Sequence, residues 1–144
     1  VARYLDGEPF MVTYGDGVAD VDIKRLLAHH REANTIATFT GVRMPSRFGT
    51  IHADAEGRIL TWEEKPLLEG YISGGFFVFQ SRILDYLTED DDCELEARPM
   101  ERLAAEGELS VFSHDGFWQC MDTYRDYLLL NEMWNEGRAP WKVW

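Results

Sequence analysis

Lysine is scarce in this 144-residue sequence. Of its 14 basic residues 11 are arginine, and only Lys24, Lys65 and Lys142 carry an ammonium group. The 26 acidic residues leave a formal net charge of -12, and no basic stripe is available to follow a phosphate backbone. That excludes a nucleic-acid reader. Cysteine is also sparse. Cys93 and Cys120 have no metal-ligand spacing and are too few for a disulfide framework, so they read as reduced thiols of a cytoplasmic protein. No apolar run approaches the roughly 20 residues that cross a bilayer, and the first residues do not form a signal peptide, so no membrane association is expected. Repeats, low-complexity tracts and linkers are missing as well.

What the sequence does contain is core material, 45% hydrophobic and 13% aromatic residues, in a length that suits one domain. Phe10–Tyr14 is apolar almost throughout and reads as a buried parallel strand ending in the turn Gly15-Asp16-Gly17. Asp22 is a suitable N-cap for a helix with Ile23, Leu26, Leu27 and His30 on one face. A strand over 36–42 completes a strand–helix–strand unit and implies a parallel pair. Segments 48–53 and 59–64 read as a hairpin around Asp54-Ala55-Glu56-Gly57. Further on, the pattern predicts a strand over 75–79, a short helix over 81–87 and an acidic loop over 89–92. It then predicts a helix over 99–106 with Pro99 in its first turn, a strand over 109–114, and a long helix over 123–136 before Gly137 and Pro140. The expected architecture is one α/β unit with an inserted antiparallel hairpin.

Three constellations could carry chemistry. Asp16, between glycines at the carboxyl end of a strand, stands where open α/β sheets bind ligands; an Asp-Gly turn is the plainer reading. A calcium loop through Asp16, Asp20 and Asp22 fails, because Leu27 occupies the position of the bidentate Glu. Asp122 lies at another strand-to-helix junction, where it could cap the long helix. Taken together, the two aspartates could meet above a sheet and hold one Mg²⁺. Glu64-Lys65-Pro66 reads as an exposed ion pair or as an ammonium for a sugar phosphate beside a carboxylate for hydroxyls. Gly74-Gly75 and Gly49, the latter in Arg47-Phe48-Gly49, would let a ring approach the backbone closely. His29 and His30 read as core or surface residues, His52 and His114 as isolated, and Trp134, Trp141 and Trp144 as packing anchors. Asp20-Val21-Asp22, the nearest approach to a glycosyltransferase Asp-x-Asp, reads as helix capping.

In this order the motifs resemble the nucleotidyltransferase family that makes nucleotide-sugars from sugar 1-phosphates. The resemblance rests on Tyr14-Gly15-Asp16-Gly17-Val18, Arg47-Phe48-Gly49, Glu64-Lys65-Pro66, Gly74-Gly75-Phe76-Phe77, His114 to Gln119, Met121-Asp122-Thr123 and Ala139 to Trp144. The run from Tyr14 to Asp20 and the ending Pro140-Trp141-Lys142-Val143-Trp144 resemble the cytidylyl-transferring branch. The resemblance implies a Rossmann-like mixed sheet of the nucleotide-diphospho-sugar transferase type, here its C-terminal portion over residues 1–144, truncated at the N-terminus. It implies Mg²⁺ held by Asp16 and Asp122, the phosphate of glucose 1-phosphate on Lys65, sugar hydroxyls on Glu64, and Gly49, Gly74, Gly75 and Tyr14 lining the substrate pocket. The implied reaction is attack of the sugar phosphate on the α-phosphorus of CTP, giving CDP-glucose and pyrophosphate, by a homo-oligomer at full length. The family's glycine-rich Thr-Arg-Leu loop has no counterpart here, and Ser73 stands where the family pattern has Asn. The isolated chain is therefore expected to show negligible transfer, and apolar surface is expected where sheet neighbours would pack. The rival expectations are transfer from UTP or dTTP, a metal-dependent glycosyltransferase, or a non-catalytic fragment that binds a partner chain.

Overall fold

The computed structural model describes residues 2–90 and 92–144; of the acidic run over 89–92, Asp91 lies outside them. The central sheet contains β1 (Phe10–Thr13), β3 (Ala37–Val42), β6 (Ile72–Phe79) and β7 (Leu109–His114), in the spatial order β1-β6-β3-β7. A short strand β2 (Gly17–Ala19) and helix α1 (Ile23–Ala33) lie between β1 and β3 in sequence. Strands β1 and β3 are not hydrogen-bonded neighbours, which corrects the parallel pair expected of them. β6 lies between them and is antiparallel to both. The physical reason is burial. β6 is eight residues long and ends in the apolar run Phe76-Phe77-Val78-Phe79, so it can be covered on both faces. β1 has four residues and alternates half-buried Phe10 and Val12 with exposed Met11 and Thr13. The one parallel pairing of the described sheet is β3 with β7.

Both faces of this sheet are covered. On one, Phe77, Phe79, Ile36 and Ala37 pack with Ile83 of a 3-10 turn (Ser81–Tyr86) and Leu103 of helix α2 (Arg98–Ala105). The Phe77 and Phe79 rings stack with centroids 5.5 Å apart, and Phe10 closes on Phe79 at 5.7 Å. On the other, α1 buries Leu26 and His30. Asp22 is its N-cap as expected, with Oδ1 accepting the Arg25 amide at 3.0 Å. The last helix, α3 (Tyr124–Asn135), begins with a capping box. Thr123 Oγ1 accepts the Asp126 amide at 3.2 Å, and Asp126 Oδ2 accepts the Thr123 amide at 2.9 Å. Thr123, not Asp122, therefore caps it. The Thr123 hydroxyl, donating to Asp126 Oδ2 at 2.7 Å, and then the Thr123 amide hold the Asp126 carboxyl below its ordinary pKa. Hairpin β4 (Thr50–Ala53) and β5 (Ile59–Glu63) forms as expected but stands as its own two-stranded sheet. No helix of the described residues is long and apolar enough to cross a membrane.

Under α1 lies a buried polar chain that was not evident in the sequence. His30 Nδ1 is 2.8 Å from Thr38 Oγ1, which is 2.6 Å from Ser110 Oγ, while His30 Nε2 has no partner among the described residues. Burial first, then the neighbouring His29 and Arg31, lowers the His30 pKa from its ordinary value of 6.5. The unfolded chain therefore binds this proton more readily, and His30 costs the fold stability as pH falls below about 6.5. Urea midpoints are expected to decline as pH falls below about 6.5 in the parent chain, while His30→Gln loses that part of the slope. An identical slope in the variant would count against the assignment.

Candidate active site

The strand β8 (Trp118–Cys120) pairs antiparallel with β2, matching Gly17 with Cys120 and Ala19 with Trp118. Each is only three residues long, too short for alternation to reveal it in the sequence. Yet this ribbon joins the two aspartate junctions, since the Met121 amide donates to the Asp16 carbonyl at 2.7 Å. Asp16 and Asp122 consequently line one open pocket with Tyr14, Gly74, Gly75, Ser73, Trp118 and Cys120. Its volume of about 180 Å³ suits a phosphate group with waters better than a whole nucleotide-sugar, which needs a pocket of several hundred Å³.

Two side chains missed by the sequence reading fasten this ribbon. The indole Nε1 of Trp118 donates to the Gly74 carbonyl on β6 at 2.8 Å. His114, at the end of β7, has Nε2 3.1 Å from Asp20 Oδ1 and 3.0 Å from the Phe117 carbonyl. Asp20 is thus a ribbon clamp and not part of the α1 cap, and His114 is not isolated. Cys120, also missed, donates its thiol to Asp122 Oδ2 at 3.2 Å. Burial and the Asp122 carboxylate raise its pKa, keeping it a neutral donor. Both cysteines are free.

Gly74 and Gly75 are glycine for reasons internal to the protein. A Cβ on Gly74 would stand 3.0 Å from the Thr40 carbonyl oxygen, and one on Gly75 3.1 Å from the Tyr14 ring; Gly75 also sits at φ +75°. The close approach expected there is made first by protein groups. The Tyr14 hydroxyl is pushed up to about 12 by burial and then by Glu96, with Asp16 adding a smaller push. It is a proton donor throughout the neutral range.

Gly49, Glu64 and Lys65 form a second group at the base of the hairpin and do not line the Asp16 pocket. A Cβ on Gly49 would lie 3.2 Å from Glu64 Oε2. Lys65 Nζ is 3.9 Å from Glu64 Oε1, with both side chains exposed, a separation that contributes little to stability. The Lys65 backbone, however, is left-handed at φ 48°, a conformation that costs a side-chain-bearing residue about 1 kcal/mol. The Ser46 amide bonding the Pro66 carbonyl at 2.7 Å and the Leu68 amide bonding the Met44 carbonyl at 2.9 Å hold it there.

Of the tryptophans, Trp141 stacks on Phe117 at 5.3 Å, whereas Trp134 and Trp144 pair with each other at the surface, where Lys142 lies over Trp134. His29 meets Phe112 edge-on, and His52 lies exposed on the hairpin.

The chain is 42% identical over 141 residues to a probable glucose-1-phosphate cytidylyltransferase of Bacillus subtilis, covering 98% of this chain and 55% of that protein. It is 45% identical over 146 aligned positions to the glucose-1-phosphate cytidylyltransferase of Salmonella typhimurium, covering 100% of this chain and 56% of that one. The chain therefore spans a little over half the length of these curated relatives. Among solved structures, HddC from Yersinia pseudotuberculosis superposes with a TM-score of 0.66 at 18% identity, over 92% of this chain and 58% of that one. A putative glucose-1-phosphate thymidylyltransferase from Bacillus anthracis gives 0.65 at 21% identity, over 92% and 56%. These likenesses agree with the mixed-sheet fold expected from the sequence. With the family model for nucleotidyl transferases matching residues 1–134, the chain belongs to the nucleotidyl transferase family.

Proposed function

We propose that this chain is the sugar-phosphate and metal-binding portion of a single nucleotidyltransferase domain that moves a cytidylyl group from CTP to α-D-glucose 1-phosphate. A phosphate oxygen of the sugar attacks the α-phosphorus, the bond to the β-phosphate bridge breaks, and pyrophosphate leaves with that electron pair. CDP-glucose is the other product. The observation that carries the reading is the β2–β8 ribbon, which brings Asp16 and Asp122 from the two ends of the chain to one pocket. The names of the relatives at 42–45% identity support CTP and glucose 1-phosphate as the substrates. We also take the working enzyme to be a cytoplasmic homo-oligomer.

The donor set fits Mg²⁺. In this reading the ion is held by two carboxylates, Asp16 and Asp122, which line one pocket; among the described residues no group of three or more His, Cys, Asp or Glu side chains could hold a metal. Two carboxylates suit an ion that keeps several waters and takes phosphate oxygens for the rest. Bound there, Mg²⁺ would neutralise phosphate charge and orient the reacting groups. The protein's own part is positioning and electrostatics. Cys120 holds one oxygen of Asp122, Trp118 fixes the ribbon over β6, Lys65 binds the sugar phosphate, and Glu64 accepts its hydroxyls. Tyr14, Gly74 and Gly75 shape the walls of the Asp16 pocket, and Gly49 borders Glu64 in the second group. The net charge of -12 gives this arrangement its logic, because a cation bridging phosphate to carboxylates offsets the repulsion a polyanion meets here.

Calorimetric titration of the chain with glucose 1-phosphate in Mg²⁺ tests the acceptor site. The parent chain is expected to bind, and Lys65→Ala to bind at least about tenfold more weakly, the scale of one lost charge-assisted contact. Equal binding by the two proteins would remove Lys65 from the site. Transfer assays on the full-length protein with CTP, UTP and dTTP separate the nucleotides, and preference for either of the latter two would overturn the cytidylyl assignment.

A further inference from the structure

The β2–β8 ribbon does not hold its own geometry. Each strand has three residues, and the pair forms a separate two-stranded sheet outside the central one; such a pair is marginal in water. The Met121 amide on the Asp16 carbonyl joins the two aspartate-bearing segments to each other, so their place on the body depends on other ties. Two of these end on neighbouring residues of β6. The Tyr14 amide, just ahead of Asp16, donates to the Gly75 carbonyl at 3.0 Å. The Trp118 indole Nε1, at the start of the strand that leads to Asp122, donates to the Gly74 carbonyl at 2.8 Å. β6 is irregular at this point. Its register against β3 shifts between Phe39 and Gly41, so Gly74, Gly75 and Phe76 stand against Thr40, and a bulge of this kind leaves backbone groups outside the ladder.

We infer that Trp118 is a positioning residue for the metal site, its indole N–H and the Tyr14 amide fixing the two aspartate-bearing segments to successive carbonyls of Gly74-Gly75. One dipeptide of the central sheet then sets the separation of Asp16 and Asp122. The hydrogen bond, more than packing, holds the indole. Trp118 is half-buried and borders both the Asp16 pocket and a second cavity of about 420 Å³ that Met44, Pro45 and Leu67 also line. With open space against it in both, the ring is not wedged in place. Its influence travels along the strand. Ala19 lies opposite Trp118 and Gly17 opposite Cys120, so a shift at the indole end is carried to both aspartates. A cation shared by two carboxylates responds to such a shift, because the groups behind the ligands fix ligand orientation. The inference rests on the two-aspartate reading proposed above and adds the residue that sets its geometry.

Trp118→Phe keeps an aromatic ring and removes the donor. Mn²⁺ binding to the chain, followed by electron paramagnetic resonance, is expected to weaken about tenfold or more in Kd, with the parent stoichiometry kept at saturation. Trp134→Phe, at the surface against Trp144, should leave Kd within about twofold. Melting temperature alone does not decide, since Gly74 is buried and its carbonyl loses a partner in the variant. Reciprocity supplies a second measurement that needs only the parent chain. If the tie strengthens metal binding, Mg²⁺ strengthens the tie by a similar factor, so saturating Mg²⁺ should slow hydrogen exchange at the Trp118 indole N–H about tenfold. Equal Mn²⁺ Kd in the parent and Trp118→Phe, or indole exchange that Mg²⁺ leaves unchanged, would overturn the inference and leave the two-aspartate site standing. A parent chain that binds no Mn²⁺ would overturn the two-aspartate reading and the inference with it.

Discussion

Asp122→Asn is expected to lower Mn²⁺ binding by this chain, followed by electron paramagnetic resonance, and, in the full-length protein, the proposed CDP-glucose formation, each by about a hundred- to a thousandfold, the cost of removing one preorganised charge-stabilising group. The melting temperature should stay within about a degree, as for a surface substitution. The two readouts separate the roles open to this residue in the sequence. An N-cap would lose about 1 kcal/mol of stability on losing its acceptor, but that acceptor belongs to Thr123, which closes the box with Asp126. Asp122 is left with its carboxylate in the pocket and one oxygen on the Cys120 thiol. Asparagine keeps the shape and an acceptor for that thiol and removes only the charge. A variant that melts early yet binds Mn²⁺ normally would return Asp122 to a structural role.

Phe79→Ala is expected to lose 3–5 kcal/mol, read as a fall in the urea midpoint, because an alanine leaves a cavity that neighbours fill only in part. Phe79 is 1% exposed, stacks on Phe77, meets Phe10 from the edge strand and sits in the same cluster as Ile83 and Leu103. It therefore joins the sheet to the turn and helix that cover it. Against a typical stability of about 5–15 kcal/mol, the change removes much of the margin. Met11→Ala, paired through Val78 on the adjoining strand but 43% exposed, should cost less than about 1 kcal/mol. Similar losses at the two positions would mean that the core is not centred on Phe79.

Local signals in the sequence were sufficient for most elements. Asp22 as N-cap, the Asp54–Gly57 turn, the 109–114 strand and the long last helix each depend on neighbouring residues, and each appears where expected. Strand order was not legible, because it is a contest for burial among segments far apart. Phe10–Thr13 looks apolar by itself and loses the central place only because Ile72–Phe79 is longer. The candidate site was legible as residue types and not as a geometry. Asp16, Asp122, Gly74, Gly75 and Tyr14 do meet, but the means of bringing them together is a ribbon of two three-residue strands. The left-handed backbone at Lys65 has no sequence signal, since nothing about a lysine announces a positive φ. The clamp of His114 on Asp20 likewise joins residues that look unremarkable apart.

The ribbon also bears on how the molecule comes to be folded. Its strands are separated by about a hundred residues, so pairing Gly17 with Cys120 closes a loop of about seven-tenths of the chain, a slow and entropically costly event that follows local structure. During synthesis β1 and α1 can form early, but the pocket cannot exist until the segment ahead of α3 has emerged and returned to β2. Metal binding at this site would therefore report completion of the fold. Hydrogen exchange at the Met121 amide, which donates to the Asp16 carbonyl, should be among the last protections gained on refolding.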